Sequence, residues 1–325
     1  MKKYSLLFLL CFFWCAFSFA QGDASFSYTQ EEALYKIAEN GDSLKLDVFL
    51  PTGQSLDKKK PVLVMVHGGA WVAGDRSLDH NYYKSQLREK ITQAGVAIIS
   101  ISYTLVNDST HFPRPIEDCK DAVRWVRSHA ENYNFDTTNI GLWGESAGAH
   151  LALMVAYSGE EDWIGNHAPM SQQAGVSYVI NNFGPTDLNT LLQTDAGWFR
   201  LFMARIFMRK LLPLRERLAV AITGYSLEAQ KDQVVNYASI YSPISFVDSL
   251  DVPTLILHGT KDRIVPFNES EKLKKVLDQY GVENELIEVD GGNHGFRNIS
   301  EERIDVLVDK TLDFLGVQLE RKQTL

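Results

Sequence analysis

Ile140-Gly141-Leu142-Trp143-Gly144-Glu145-Ser146-Ala147-Gly148 leads without a break into Ala149-His150-Leu151-Ala152-Leu153-Met154-Val155-Ala156. The first four residues are an apolar run of strand length, and the last eight are helix-forming. Between them the G-x-S-x-G pattern marks a sharp turn with Ser146 at its apex. Small residues must flank such a serine, because the turn is strained and neighbouring chain passes close to it. The hydroxyl then stands proud of the sheet edge. The helix that follows adds unpaired N–H groups and the positive end of a dipole beside any oxyanion formed there.

Working outward, Pro61-Val62-Leu63-Val64-Met65-Val66 contains no polar side chain, as expected of a strand covered on both faces. It runs into His67-Gly68-Gly69-Ala70-Trp71, where glycines let backbone N–H groups turn toward a ligand. Val96–Tyr103, Val176–Ile180, Pro253–Leu257 and Glu285–Val289 read as further strands. Asn81–Gln93, a segment with Ile116, Cys119, Val123, Val126 and Ala130 at helical spacing, Glu269–Tyr280 and Glu301–Leu315 read as helices. Strict alternation of the two predicts a mostly parallel sheet with right-handed crossovers and helices on both faces. Before it, Ala33–Ile37 and Leu44–Phe49 alternate apolar and polar, as antiparallel edge strands would. Cys119 lies on the apolar helix face and is read as core.

The alternation stops at about residues 188–242, too long for one crossover. Within it Trp198–Leu212 is apolar apart from three arginines, and Pro213 breaks it. A helical cap roofing a pocket, a helix pair packed on the body and a lid touching a lipid surface all fit this insertion.

A serine hydroxyl needs a base within hydrogen-bond reach, and the base needs a partner that fixes its tautomer and stabilises its charged form. Asp262 follows the Pro253–Leu257 strand and His294 follows the last strand, so both lie with Ser146 at the carboxyl ends of parallel strands. The assignment is Ser146 as nucleophile, His294 as base and then acid, and Asp262 as the orienting carboxylate. Asp248 and Asp251 precede their strand, and Asp290 is only four residues from His294. His67, His150 and His258 are read as hydrogen-bonded structural groups. The oxyanion would be held by the N–H groups of Ala147, Gly69 and Ala70, with Gly68 as a substitute.

The chain has 325 residues, 45% of them hydrophobic, and a net charge of -9. It suits one large α/β core and argues against a nucleic-acid partner. Lys2 and Lys3, the apolar run from Leu6 to about Phe17, and Ser18-Phe19-Ala20 predict a signal peptide over residues 1–20. The mature domain, residues 21–325, would then be secreted or periplasmic, with no stable membrane insertion after leader removal. No metal-ligand cluster, dinucleotide motif or phosphate loop is visible, so no metal and no cofactor is expected. The sequence fixes no oligomeric state.

The segments His67–Trp71, Gly144–Leu151, His258-Gly259-Thr260-Lys261-Asp262 and Gly292-Asn293-His294-Gly295-Phe296 together resemble the α/β-hydrolase superfamily. More narrowly, they resemble its esterase and lipase group with an H-G-G-x-W oxyanion motif, near the hormone-sensitive-lipase-like and bacterial feruloyl or acetylxylan esterase types. The resemblance runs from about Leu44 to Leu315. Ala70 departs from the third glycine that the lipase-like group often has. It implies a serine carboxylic ester hydrolase working through an acyl-enzyme on small-molecule or carbohydrate esters, such as acetyl or feruloyl groups on polysaccharide. A lipase, an amidase resembling kynurenine formamidase, a peptidase, and a non-catalytic binding protein on the same fold are the other readings.

Overall fold

The computed structural model describes residues 28–53, 58–165, 171–197 and 211–323. The expected leader and most of the apolar run Trp198–Leu212 lie outside the described residues. Among those described, eight strands form one sheet in the order β1-β2-β4-β3-β5-β6-β7-β8. They are β1 (Tyr28–Ile37), β2 (Ser43–Pro51), β3 (Lys60–Val66), β4 (Ala97–Ile101), β5 (Phe135–Glu145), β6 (Tyr178–Asn182), β7 (Thr254–Gly259) and β8 (Asn284–Val289). β1 and β2 are antiparallel, and β3 to β8 are parallel. After β3 the chain steps outward to β4, and from β5 onward it winds the other way. The two directions diverge between β3 and β5, and ligands of parallel sheets bind in the crevice at such a divergence.

The helices are α1 (Tyr82–Gln93), α2 (Arg114–Ser128), α3 (Ala130–Tyr133), α4 (Ala147–Tyr157), α5 (Leu188–Leu192), α6 (Leu211–Thr223), α7 (Lys231–Ile240), α8 (Asn268–Tyr280) and α9 (Glu301–Gln323). The pleat of β3 shows how they are shared between faces. Val62, Val64 and Val66 enter a core with residues of α2, α4, α6, α7 and α8. Leu63 and Met65 enter a second core with α1 and α9. Burial on both faces explains why β3 carries no polar residue from Val62 onward.

Several boundaries and one face differ from the sequence expectation. α9 continues to Gln323, eight residues past Leu315, and Ile304, Val308, Thr311 and Leu315 all face inward. Pro115 sits inside the first turn of α2, where its missing N–H costs nothing, and Ala130 belongs to the separate short α3. In β1 the alternation is broken by a bulge between Leu34 and Lys36. Leu34 and Ile37 are 52% and 48% exposed, whereas Lys36 is 8% exposed and turned inward. Its Nζ lies 2.7 Å from both Asp118 and Asp121 on α2. Two carboxylates on the buried side outweigh the apolar pattern of the strand.

The described part of the insertion, α5 to α7, packs Leu188, Ala219, Ile222, Val234 and Ala238 into the same core as α4. No helix of the described residues is long and apolar enough to cross a membrane.

Candidate active site

Ser146 has φ 53° and ψ -120°, a left-handed conformation that costs a non-glycine residue roughly 1–3 kcal/mol and persists only where the surroundings enforce it. They do so by close packing. A Cβ on Gly148 would lie 2.1 Å from the Val66 carbonyl oxygen, one on Gly144 2.4 Å from the Gly148 oxygen, and one on Gly68 2.8 Å from the Glu145 oxygen. Each glycine of the elbow and the second glycine-turn residue is therefore a point of backbone contact. The Ser146 N–H donates to the Asn182 carbonyl at the end of β6, 2.9 Å away, and the Ser146 carbonyl accepts from His150 N–H in α4.

Asp262 and His294 come from loops after β7 and β8 that are pressed together. Lys261 N–H donates to the Gly292 carbonyl, and a Cβ on Gly259 would be 2.3 Å from that same oxygen. His294 Nδ1–H donates to Asp262 Oδ2 at 2.6 Å, which leaves the Nε2 lone pair facing Ser146 Oγ at 2.9 Å. The three residues singled out in sequence, 116 and 32 positions apart, thus form one continuous chain of hydrogen bonds. The other oxygen of Asp262 accepts from the N–H groups of Ile264 and Val265 at 2.8 and 3.0 Å. Burial alone would raise the Asp262 pKa. Hydrogen bonding from His258 and His294, the His294 charge and the Ile264 N–H outweigh it and hold the carboxyl well below the usual carboxylate range.

Gly69, Ala70 and Trp71 all have positive φ (124°, 52° and 64°), so the turn after β3 runs through three consecutive left-handed residues. Trp71 anchors it. Its indole is buried edge-on against Phe112 and His150, and its carbonyl accepts from Val106 N–H. Within the described residues no hydrogen bond uses the N–H of Gly69, Ala70 or Ala147, and Gly69 and Ala70 line the same cavity as Ser146.

The three histidines read as structural groups, His67, His150 and His258, are each hydrogen-bonded. His67 donates from Nδ1 to the Gly68 carbonyl and stacks on Tyr103; His150 Nε2 meets the Tyr241 carbonyl at 2.7 Å. His258 bonds Ser270 and the Val265 carbonyl and lies 3.4 Å from Asp262, so it braces the Asp262 loop. Sequence reasoning did not find that bracing role, nor Phe183, whose ring packs edge-on to His294 at 4.8 Å. It also missed Lys84 and the side chain of Glu145, which enter the cavity beside Ser146. Neither carries a local signal: Lys84 reads as an ordinary helix residue and Glu145 as the variable position of a motif.

The cavity has a volume of about 970 Å³. Phe183, Ile264, Phe296, Ile299 and Ile304 supply apolar wall, and Asp75, His80, Lys84, Glu145 and Arg297 supply polar, ionisable groups. No described residue of the insertion lines it, and the apolar run that suggests a roof lies outside the described residues. Among the described residues there is no group of three His, Cys, Asp or Glu that could hold a metal ion.

A family model described as BD-FAE matches residues 46–277. The esterase LipQ of Mycobacterium tuberculosis is 27% identical over 85% of this chain and 60% of its own length, and esterase LipC of the same organism 27% identical over 74% and 54%. The chain therefore spans little more than half the length of these relatives. Among solved structures, a truncated carbohydrate esterase from gut microbiota is 27% identical, covers 91% of this chain and 98% of its own, and has a TM-score of 0.68. A thermophilic esterase from Thermogutta terrifontis, 23% identical with a TM-score of 0.64 over 88% of this chain and 94% of its own, shows the same fold.

Proposed function

The chain belongs to the BD-FAE family, and on that premise we propose that it is a serine carboxylic ester hydrolase whose reacting groups are Ser146, His294 and Asp262. The observation that carries this reading is the unbroken hydrogen-bond chain from Asp262 through His294 to Ser146 Oγ, with His294 and Ser146 lining a cavity of about 970 Å³. Ser146 attacks the ester carbonyl while His294 Nε2 takes its proton. Asp262, kept ionised at any ordinary pH, stabilises the imidazolium. The carbonyl oxygen becomes an oxyanion, and the N–H groups of Gly69, Ala70 and Ala147 are the donors at hand; each such donor commonly contributes about 3 kcal/mol to the transition state. His294 then returns the proton to the alcohol, which leaves an acyl group on Ser146. Water, deprotonated by His294, attacks that acyl carbon; the bond from the acyl carbon to Ser146 Oγ then breaks as His294 returns the proton to Oγ, and the carboxylic acid departs.

Three finer parts of the reading each have their own support. Carbohydrate esters as substrates are supported by the likeness to the gut-microbiota carbohydrate esterase and by a cavity that mixes aromatic wall with charged side chains. Export to a periplasmic or extracellular space is supported by the basic, apolar and small-residue order of residues 1–20. A cap over residues 188–242 is supported by their composition alone.

The experiment is hydrolysis of p-nitrophenyl acetate, butyrate and longer esters by the protein and by its Ser146→Ala variant. Turnover that drops by about 10⁴-fold or more in the variant is the expected result. Equal turnover in both would overturn the assignment of Ser146, and no turnover on any ester would overturn the ester reading.

A further inference from the structure

The peptide group that joins Gly292 to Asn293, just ahead of His294, is held from both sides. Its carbonyl accepts from the Lys261 N–H at 2.9 Å, and Lys261 is the chain neighbour of Asp262. Its N–H donates to Asn298 Oδ1 at 2.8 Å. A trans peptide is planar, with C=O and N–H directed to opposite sides, so these two bonds fix the orientation of the whole plane. The first comes from the loop that carries the acid. The second comes from a side chain that takes no part in the reaction. Asn298 also bonds the same arm of the turn a second time, for its Nδ2 donates to the Gly291 carbonyl at 2.8 Å. Only one orientation of the carboxamide, oxygen to N–H and nitrogen to C=O, satisfies both partners. The side chain thus closes the turn from Gly291 to Asn298 across its base.

His294 lies inside that closed turn, at the start of the short helical turn His294–Phe296. The Asn293 carbonyl and Oδ1 accept from the Phe296 and Arg297 N–H groups at 3.0 Å each, so the turn hangs as a unit from the clamped peptide. Asn298 itself is exposed. It fills no core space, and its hydrogen bonds compete with water, so it contributes little to stability. We infer that Asn298 is a positioning residue for His294, which fixes the Gly292–Asn293 peptide plane and thereby the reach of the imidazole to Asp262 and Ser146. This rests on the ester-hydrolase reading above and adds to it a residue that touches neither substrate nor reacting atom. The imidazole has to meet two partners at once, Asp262 Oδ2 at 2.6 Å and Ser146 Oγ at 2.9 Å. A tilt of the clamped plane moves the His294 Cα and cannot preserve both distances. Misplacement of a reacting group by about 1 Å lowers a rate by about 100-fold.

The test compares p-nitrophenyl acetate hydrolysis by the unaltered protein, by Asn298→Ala and by Asn298→Asp, with the melting temperature of each recorded. The aspartate keeps the shape of the side chain but sets a carboxylate oxygen against the Gly291 carbonyl. Phosphonylation of Ser146 by a small organophosphonate needs the base but little substrate binding; its end point counts the active sites and its rate constant reads the base directly. The expected result in both variants is a kcat per active site about 10- to 100-fold lower, with KM within about twofold and the melting temperature little changed. The phosphonylation rate constant should fall with kcat. A kcat per active site equal to that of the unaltered protein in both variants would overturn this inference and leave the ester reading standing. Activity lost only in proportion to lost active sites or lost fold would overturn it as well, since a merely structural residue behaves that way. An unaltered protein that hydrolyses no ester and takes up no phosphonate would overturn the ester reading and this inference with it.

Discussion

His150 shows how much one side chain can set. It is fully buried one turn into α4, between the ring of Phe112 and the edge of Trp71, and only Nε2 has a partner, the Tyr241 carbonyl. Nδ1 is buried without one. Burial, partly offset by the Tyr241 bond, pushes its pKa down from 6.5 to about 4. The unfolded chain takes up a proton near the ordinary value, and the folded chain resists until about pH 4. Stability is therefore unaffected above roughly pH 6.5 and declines on acidification between the two values, by about 3 kcal/mol in total. Gln at this position keeps a donor for Tyr241 and cannot titrate. Urea denaturation of His150→Gln at pH 7 and pH 4.5 should show a smaller acid loss than the parent protein; identical losses would refute the assignment. At the proposed catalytic residues, Asp262→Asn keeps the shape but removes the charge that would fix the His294 tautomer. Ester turnover should fall by about 10⁴-fold with KM little changed.

At the scale of elements, the elbow works because two backbones touch. The Gly148 position meets the Val66 and His67 carbonyl oxygens at 2.1 and 2.4 Å from a notional Cβ, so a methyl group there must push β3 away from α4. Gly148→Ala should cost about 3 kcal/mol and shift the Gly69–Ala70 turn, read together as a lower melting temperature and a lower kcat. Gly316 in α9 is the control, because a Cβ there meets nothing within 4 Å. Gly316→Ala should raise stability by about 0.8 kcal/mol with activity unaltered, as expected for glycine in a helix interior. If both substitutions behaved alike, the contact argument would fail. Most of this element-level picture was legible beforehand: the strand, turn and helix from Ile140 to Ala156, the glycine turn after Val66, and the inward residues of α9. What was not legible was β1, where a bulge carries Lys36 inward, and α2, where Asp118, Lys120, Asp121 and Arg124 are buried as well as the apolar stripe.

Over the whole molecule, those buried charges tie the antiparallel edge to the body. Burial works against the Lys36 ammonium, but Asp118 and Asp121 more than compensate and raise its pKa; Arg124 completes the group at 3.0 Å from Asp121. Lys36→Met would leave two buried carboxylates with less than their full complement of positive charge. It should cost about 3 kcal/mol or more, measured from the urea midpoint, and an unchanged midpoint would show the cluster to be dispensable. Periodicity could not reveal it, because its members come from a strand and a helix some 80 residues apart. The same division runs through the candidate site. Residue type and local order determined the strand-turn-helix around Ser146, the buried character of β3 and the placing of Asp262 and His294 just past strand ends, since these depend on side-chain period, glycine freedom and chain direction over a few residues. Only the tertiary structure decided that the β7 and β8 loops meet at Gly259 and Gly292, that His258 and Phe183 pack against Asp262 and His294, and that Lys84 comes to 3.9 Å from Glu145 on the wall of the cavity. Those contacts join segments far apart in the chain, and their energy comes from distances of a few ångströms that no pattern along the sequence encodes.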